Sequence, residues 1–336
     1  MGVFLLLLHI RLIAKGRQIV PSRLTWEAQM TVSNAVRKGS LVSFLLLFLC
    51  ACTTTVKPKA GSELLDHSLS SKESESRLKN LPPDDLLRNG NAYLAGGSYQ
   101  LARLHFAAAL EKEPRSAAAL TGLGEIQRRI GELNNARGTF GKALEHDARY
   151  WPALLAMAKV GRAQGDNQTA IEFLNKALAV SPENIEILTE MAMLYDNLGQ
   201  EAQAEPLYAK VVALRPDLPS AHNNLGFNYL LQGRYPDAIT AFSRAMALEP
   251  DNKRTQNNLG AAYALNGNED KALLIFEKAV GKAAAYNNIG YIYMTQGEWD
   301  KAEKAFKHAL DLNPRFYVRA QENLDRLNRM RSKAGE

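Results

Sequence analysis

The side chains with chemical reach are few and scattered. The two cysteines, Cys50 and Cys52, stand two apart at the end of an apolar run. A C-x-C pair can hold a metal or cycle through a disulfide, but no ligand-rich context surrounds this one, and the body of the chain has no other thiol. His67, His105, His146, His222 and His308 are dispersed, and none has an i,i+4 partner or an acidic relay suited to zinc. There is no H-E-x-x-H, no G-x-S-x-G and no phosphate-cradling P-loop. Gly122-x-Gly124 is a fragment of a dinucleotide motif inside a helical run, where small residues serve helix packing. The paired acids Asp84-Asp85 and Glu111/Glu113 read as solvated helix faces. These residues nominate no catalytic or metal site, no cofactor and no small-molecule substrate, so the expectation is a non-enzyme.

Charge points the same way once it is located. The chain carries a formal +6 over 336 residues. Arg11, Lys15, Arg17, Arg23, Arg37 and Lys38 stand against Glu27 alone before Cys52. Removing that segment leaves about +1, and the main support for nucleic-acid binding goes with it.

Arg37 and Lys38 precede an apolar run, Leu41 to Ala51. It has the layout of a signal peptide and falls short of the ~20 residues a spanning helix needs. Residues 30–51, opening at Met30, form the expected signal, and residues 1–29 an over-extended start. The end of the run, Leu49-Cys50-Ala51-Cys52, resembles the lipobox of bacterial lipoproteins. That resemblance implies acylation of Cys52 as the mature N-terminus, and Thr53 after it implies sorting to the outer membrane, facing the periplasm. Several acyl chains make such a tether effectively permanent. Residues 52–80, rich in Ser, Lys and Glu, read as a disordered spacer.

Beyond the spacer the chain repeats itself every 34 residues. Prolines fall at Pro114, Pro182, Pro216 and Pro250, with Ala148 in the missing slot. With that proline as position 32, position 8 is Gly90, Gly124, Ala158, Ala192, Gly226, Gly260 and Gly290. Position 20 is Ala in every unit, from Ala102 to Ala302, and position 24 is Phe106, Phe140, Leu174, Tyr208, Phe242, Phe276 and Phe306. Gly or Ala at position 8, facing Ala at position 20, lets two helices approach closely. Tyr or Phe at positions 11 and 24 fills the wedge between them. Gly131 and its equivalents at position 15 end helix A in a left-handed turn. Proline at position 32 stops helix B.

This is the pattern of the tetratricopeptide repeat (TPR) family. The resemblance implies an all-α, right-handed superhelical solenoid of about seven helix-turn-helix units, residues 81–316, stabilised by nearest neighbours. The units are 83–116, 117–150, 151–184, 185–218, 219–252, 253–282 and 283–316. The sixth is about four residues short at Val280-Gly-Lys-Ala, which predicts a local change of pitch. Residues 317–336 form a cap and tail, with Leu324, Leu327 and Met330 on one side.

In TPR proteins helix A positions 2, 5, 9, 12 and 13 line the inner face. Carried over residue by residue, they give a basic zone of Arg128, Arg129, Lys159 and Arg162, near Asn91, suited to an acidic segment or a terminal carboxylate. A second, apolar zone is Phe227, Leu230, Leu231, Leu265, Tyr291 and Met294, where no packing need is evident and a partner helix or strand would dock. Of the pairs Asn223-Asn224, Asn257-Asn258 and Asn287-Asn288, the second member reads as structural. The first (Asn223, Asn257 and Asn287) reads as a partner contact.

Three stretches carry a finer likeness: Asn257-Asn-Leu-Gly-Ala-Ala-Tyr, the shortened unit running into Ala283-Ala-Ala-Tyr-Asn-Asn-Ile-Gly-Tyr, and Leu312-Asn-Pro-Arg-Phe-Tyr-Val-Arg-Ala-Gln-Glu-Asn-Leu. These resemble the Flp/Tad pilus assembly lipoproteins of the TadD type. The resemblance implies a membrane-tethered scaffold that binds protein partners, such as a secretin or another pilus or secretion component. The lipobox-plus-TPR plan fits a type IV pilus pilotin or a general envelope adaptor as well.

Overall fold

The computed structural model describes residues 78–313 and 317–334. The lipobox with Cys52, the expected signal and nearly all of the spacer lie outside them. Fifteen named helices run through the described residues: α1 (Pro83–Ala95), α2 (Tyr99–Lys112), α3 (Ala117–Arg129), α4 (Leu133–His146), α5 (Trp151–Ala163), α6 (Asn167–Val180), α7 (Ile185–Asn197), α8 (Glu201–Leu214), α9 (Pro219–Gln232), α10 (Tyr235–Leu248), α11 (Lys253–Leu265), α12 (Glu269–Val280), α13 (Lys282–Gln296), α14 (Trp299–Leu312) and α15 (Tyr317–Ala334). Odd-numbered helices are the A helices of the repeat and even-numbered ones the B helices. No strand occurs among the described residues.

Local chemistry sets the boundaries. The side chains of Ser116, Asp166, Asn252 and Asn268 each accept a hydrogen bond from the backbone N–H three residues on, capping α3, α6, α11 and α12. Helix A of units 5 and 7 closes in a left-handed glycine, Gly233 at φ 78° and Gly297 at φ 78°. In each, the next residue's N–H bonds back to Tyr229 or Tyr293.

The helices divide into two compact units, one ending at Leu194 and the other beginning at Tyr195. In the first, α1–α2, α3–α4 and α5–α6 pack as hairpins, and successive A helices also touch. In the second, α9–α10, α11–α12 and α13–α14 do the same, and α15 closes the end against α14 and α13. In five of the seven repeats the core of the hairpin is a phenylalanine ring lying on a glycine, with Leu174 and Tyr208 in the ring's place beside Ala158 and Ala192 in the third and fourth. A Cβ on Gly226 would stand 2.8 Å from Cδ1 of Phe242, and one on Gly260 2.7 Å from Cε1 of Phe276. Position 8 is therefore small chiefly to receive the position 24 ring, more than to face the position 20 alanine as its sequence suggests. At Gly290 the Ala302 carbonyl oxygen also comes close, at 3.2 Å.

Two boundaries shift from expectation. The last residues of the expected spacer are folded: Leu78 is buried with Leu86, Ala109 and Ala119, and Lys112 donates to the Lys79 carbonyl oxygen. An apolar side chain there covers the first repeat's open end, so the spacer stops short of 80. The shortening of unit six is real, since Gly281 alone separates α12 from α13. Its φ of 85° and ψ of 163° fall where only glycine sits without strain. Gly281→Ala should therefore cost about 1–3 kcal/mol, read as a lower urea midpoint. Gly138→Ala, with nothing within 4 Å of the added methyl, should be neutral or stabilising by about 0.5–1 kcal/mol.

His105 on α2 is fully buried, stacked on Tyr93 at 5.2 Å between ring centroids. Neither ring nitrogen has a hydrogen-bond partner. Burial lowers its pKa from 6.5 to about 4. Between those values the unfolded chain binds a proton that the folded chain refuses. The site's contribution is thus complete above about pH 6.5 and is lost as pH falls toward 4, a change of about 3 kcal/mol. His105→Leu should flatten that part of the acid dependence. Unfolding midpoints of both proteins measured from pH 7 to 4 would show the shallower fall in the variant; parallel curves would contradict the assignment.

Candidate functional site

The inner helix A face of the first unit carries the expected basic residues, but each is answered by a carboxylate. Arg128 grips Glu125 through Nε and Nη2, both at 2.7 Å. Arg129 donates Nε to the same Glu125 at 2.9 Å and Nη1 to the Leu94 carbonyl oxygen at 3.1 Å. Lys159 meets Glu186 at 2.7 Å and Arg162 meets Glu190 at 2.6 Å. Burial alone would raise the Glu125 pKa, but the two guanidinium groups hold it below the ordinary value. The zone is therefore a set of ion pairs, within α3 for Arg128 and Arg129 and between α5 and α7 for Lys159 and Arg162, and no free basic cluster. The sequence reading counted the cations at their groove positions. The acids that answer them are Glu125 on the same helix and Glu186 and Glu190 on the next helix A. Asn91, also on this face, is exposed.

The expected apolar zone needs a plainer correction. Leu230, Leu231, Leu265, Tyr291 and Met294 are 1–8% exposed and belong to one continuous core with Phe242, Phe276 and Phe306. Their packing need comes from the following A helix, which covers positions 9, 12 and 13 of the one before. Phe227 alone is half-buried.

The asparagines form a ladder of a different kind. Asn258 Nδ2 donates to Asn223 Oδ1 at 3.0 Å, and Asn323 Nδ2 to Asn287 Oδ1 at 2.8 Å. Asn223 and Asn287 are thus acceptors in rungs between helices, correcting their reading as open contacts. Asn257 is half-buried and stands outside these two rungs. The Asn323 rung also shows what α15 is. Glu322-Asn323-Leu324 repeats the Asn-Asn-Leu/Ile step of α9, α11 and α13, so the cap is an eighth helix A without a helix B. Its sequence held that signal.

The outer side shows features the sequence reading passed over. Arg234 lies 4.3 Å from the Tyr229 ring centroid, Lys271 5.4 Å from Tyr263 and Lys301 5.1 Å from Tyr293. Each covers a position 11 tyrosine with a cation. Buried Asn228 donates to Asp196 Oδ1 at 2.7 Å and to the Glu201 carbonyl oxygen. Gln232 and Arg234 continue that network to Glu205. Among the described residues no group of three or more His, Cys, Asp or Glu is placed to hold a metal, and no helix is long and apolar enough to cross a membrane.

Paired helices with rings seated on glycines, stacked by rungs between A helices, define a repeat scaffold whose exposed faces take other proteins. Models of the tetratricopeptide repeat match residues 87–149, 162–225, 217–281 and 283–316, together well over half of the chain. The chain belongs to the tetratricopeptide repeat family. No curated protein matches it significantly. Among solved structures it is similar to a tetratricopeptide repeat protein from Parabacteroides merdae, at 24% identity, with 73% of this chain and 98% of that one covered and a TM-score of 0.52. It is also similar to PilW, described as a widely conserved type IV pilus biogenesis factor, at 22% identity over 62% and 98% of the chains with a TM-score of 0.52. A third likeness is the Cut9–Hcn1 hetero-tetramer structure, at 20% identity over 77% and 57% with a TM-score of 0.50. At these identities the likeness is one of fold.

Proposed function

We propose that this TPR scaffold is anchored by lipid on Cys52 to the outer membrane, facing the periplasm. There it holds protein partners during assembly of a pilus or secretion pore of the Flp/Tad kind, a secretin among them. The observation that carries the reading is the joint presence in one chain of Leu49-Cys50-Ala51-Cys52, the array with its shortened sixth unit, and the Glu322-Asn323-Leu324 cap. A tether and a non-catalytic array suit a protein that positions others at a surface.

Two readouts test it. Intact mass of the chain purified from membranes should show a mature protein beginning at acylated Cys52. Loss of the chain should leave secretin subunits unassembled on gels that preserve their multimers. An unlipidated mature protein, or secretin multimers unchanged without it, would remove the reading.

A further inference from the structure

The first repeat holds an ionisable group at a place where the other six have none. His105 stands at position 23, on α2, and the corresponding residues are Thr139, Phe173, Leu207, Ala241, Ile275 and Ala305. It is sealed from solvent against the Tyr93 ring of α1, and both imidazole nitrogens are left without a hydrogen bond. The next residue, Phe106, seats α2 on Gly90 of its own repeat and on Gly122 of the following one. A Cβ on Gly122 would stand 2.4 Å from Cζ of that ring. A proton on His105 therefore puts a charge inside the packing that joins α1, α2 and α3. A buried charge with no partner is costly, and opening to water relieves it.

The charged groups of the packed helices are at the surface or already engaged. On α1, Asp84 and Arg88 are exposed and Asp85 bonds with Arg88. On α2, Arg103, Glu111 and Lys112 are exposed and Tyr99 is half-buried. On α3, Glu125 is held by Arg128 and Arg129. Tyr93 is the titratable side chain in contact with the imidazole. Burial is accordingly what lowers the His105 pKa, with no charged neighbour contributing. Place in the array decides how much opens. The inner repeats are clasped on both sides, whereas α1 and α2 pack on α3 and on the short stretch from Leu78 to Leu81. In a stack stabilised by nearest neighbours, an end repeat detaches at the loss of one interface.

We propose that His105 makes the first repeat an acid-released end: protonation detaches α1 and α2 from α3 while the later repeats stay folded. Release uncovers Ala119, Gly122 and Ile126 on α3, all buried while the repeat is closed. It also takes Asn91 away from the inner face together with α1. A protein held through α1 is let go by the same event, and its binding in turn resists protonation. The device needs neither lipid on Cys52 nor a particular partner, so it stands apart from the pilus reading.

The test is amide hydrogen exchange of the full-length chain from pH 7 to pH 5, read by mass spectrometry of its peptides. Each rate is expressed as protection against the intrinsic rate at the same pH. An imidazole that titrates at 6.5 when unfolded and near 4 when folded should lower the protection of α1 and α2 about twentyfold over that range. Protection of α9 to α14 should change far less. His105→Leu, which installs the residue the fourth repeat carries at this position, should hold the protection of α1 and α2 nearly constant. His146→Leu, a change at an exposed histidine, should leave the fall as it is. An equal loss along all helices would overturn the proposal, because the end would then not open by itself. No loss in α1 and α2, or a loss that persists in His105→Leu, would overturn it as well. If His105→Leu loses its helical spectrum at pH 7, the profile along the unaltered chain decides: loss confined to the first repeat supports the device, and uniform loss rejects it.

Discussion

Truncating Phe242 to alanine is expected to lower the stability of the second unit by about 3–5 kcal/mol. The ring is fully buried and rests on Gly226, where an added methyl would come within 2.8 Å of it. Removing the ring leaves a cavity between α9 and α10 that the flanking repeats keep open. Gly226→Ala is expected to do harm from the other side. Overpacking costs about 1–3 kcal/mol, offset by up to about 1 kcal/mol of helix propensity. The combination Gly226→Ala/Phe242→Leu should cost less than the sum of its parts, because the new methyl occupies space the ring vacates. The third repeat carries that combination natively, with Ala158 and Leu174 each about 1% exposed. Urea unfolding of the four proteins gives the coupling. Strict additivity would mean that the ring on its glycine does not set how closely the helices approach.

Arg162→Met is expected to destabilise the first unit by about 3 kcal/mol, because it strands a buried carboxylate. Arg162 and Glu190 lie 2.6 Å apart with side chains 19% and 10% exposed. Methionine replaces the stem and leaves Glu190 without its cation. Arg162→Met/Glu190→Gln should recover much of the loss, since the uncompensated charge is gone. Lys159→Met is the contrast: its partner Glu186 is 55% exposed, and such a pair contributes about 0–1 kcal/mol. A practical consequence follows for binding studies. Charge reversal at Arg162 would damage the fold, so partner contacts on this face are better probed at exposed Asn91.

The repeat, its period and its turns were legible in the residues because backbone geometry imposes them locally. Only glycine takes the left-handed turn without strain, and Gly131, Gly165, Gly199, Gly233, Gly267 and Gly297 all adopt it. Small and aromatic residues at fixed spacing likewise announced the hairpins, although the partner of position 8 proved to be the position 24 ring. The inner face was less legible, for a physical reason. Which side chains stay exposed depends on how the next unit covers them, and that is a property of neighbours 30 to 36 residues away. Leu230 and Met294 sit at groove positions yet are 1% exposed, because the following helix lies over them. Arg128 and Arg162 sit at groove positions yet are paired, Arg128 with Glu125 one turn back on its own helix and Arg162 with Glu190 on the next helix A. The helix α15 read as a solvating cap, and the Asn323–Asn287 bond shows it to be another helix A.

The central claim is that this chain works by holding another protein on the exposed part of its helix A face. Site-specific photo-cross-linking in the cells that make it puts that claim to the most direct test. A photoreactive residue placed at Asn91, Ala284 or Arg319 should join the chain to an envelope protein. The same residue at Leu274 or Lys304, exposed on helix B, should not. Cross-links from the helix B positions alone, or from none of the five, would contradict the account.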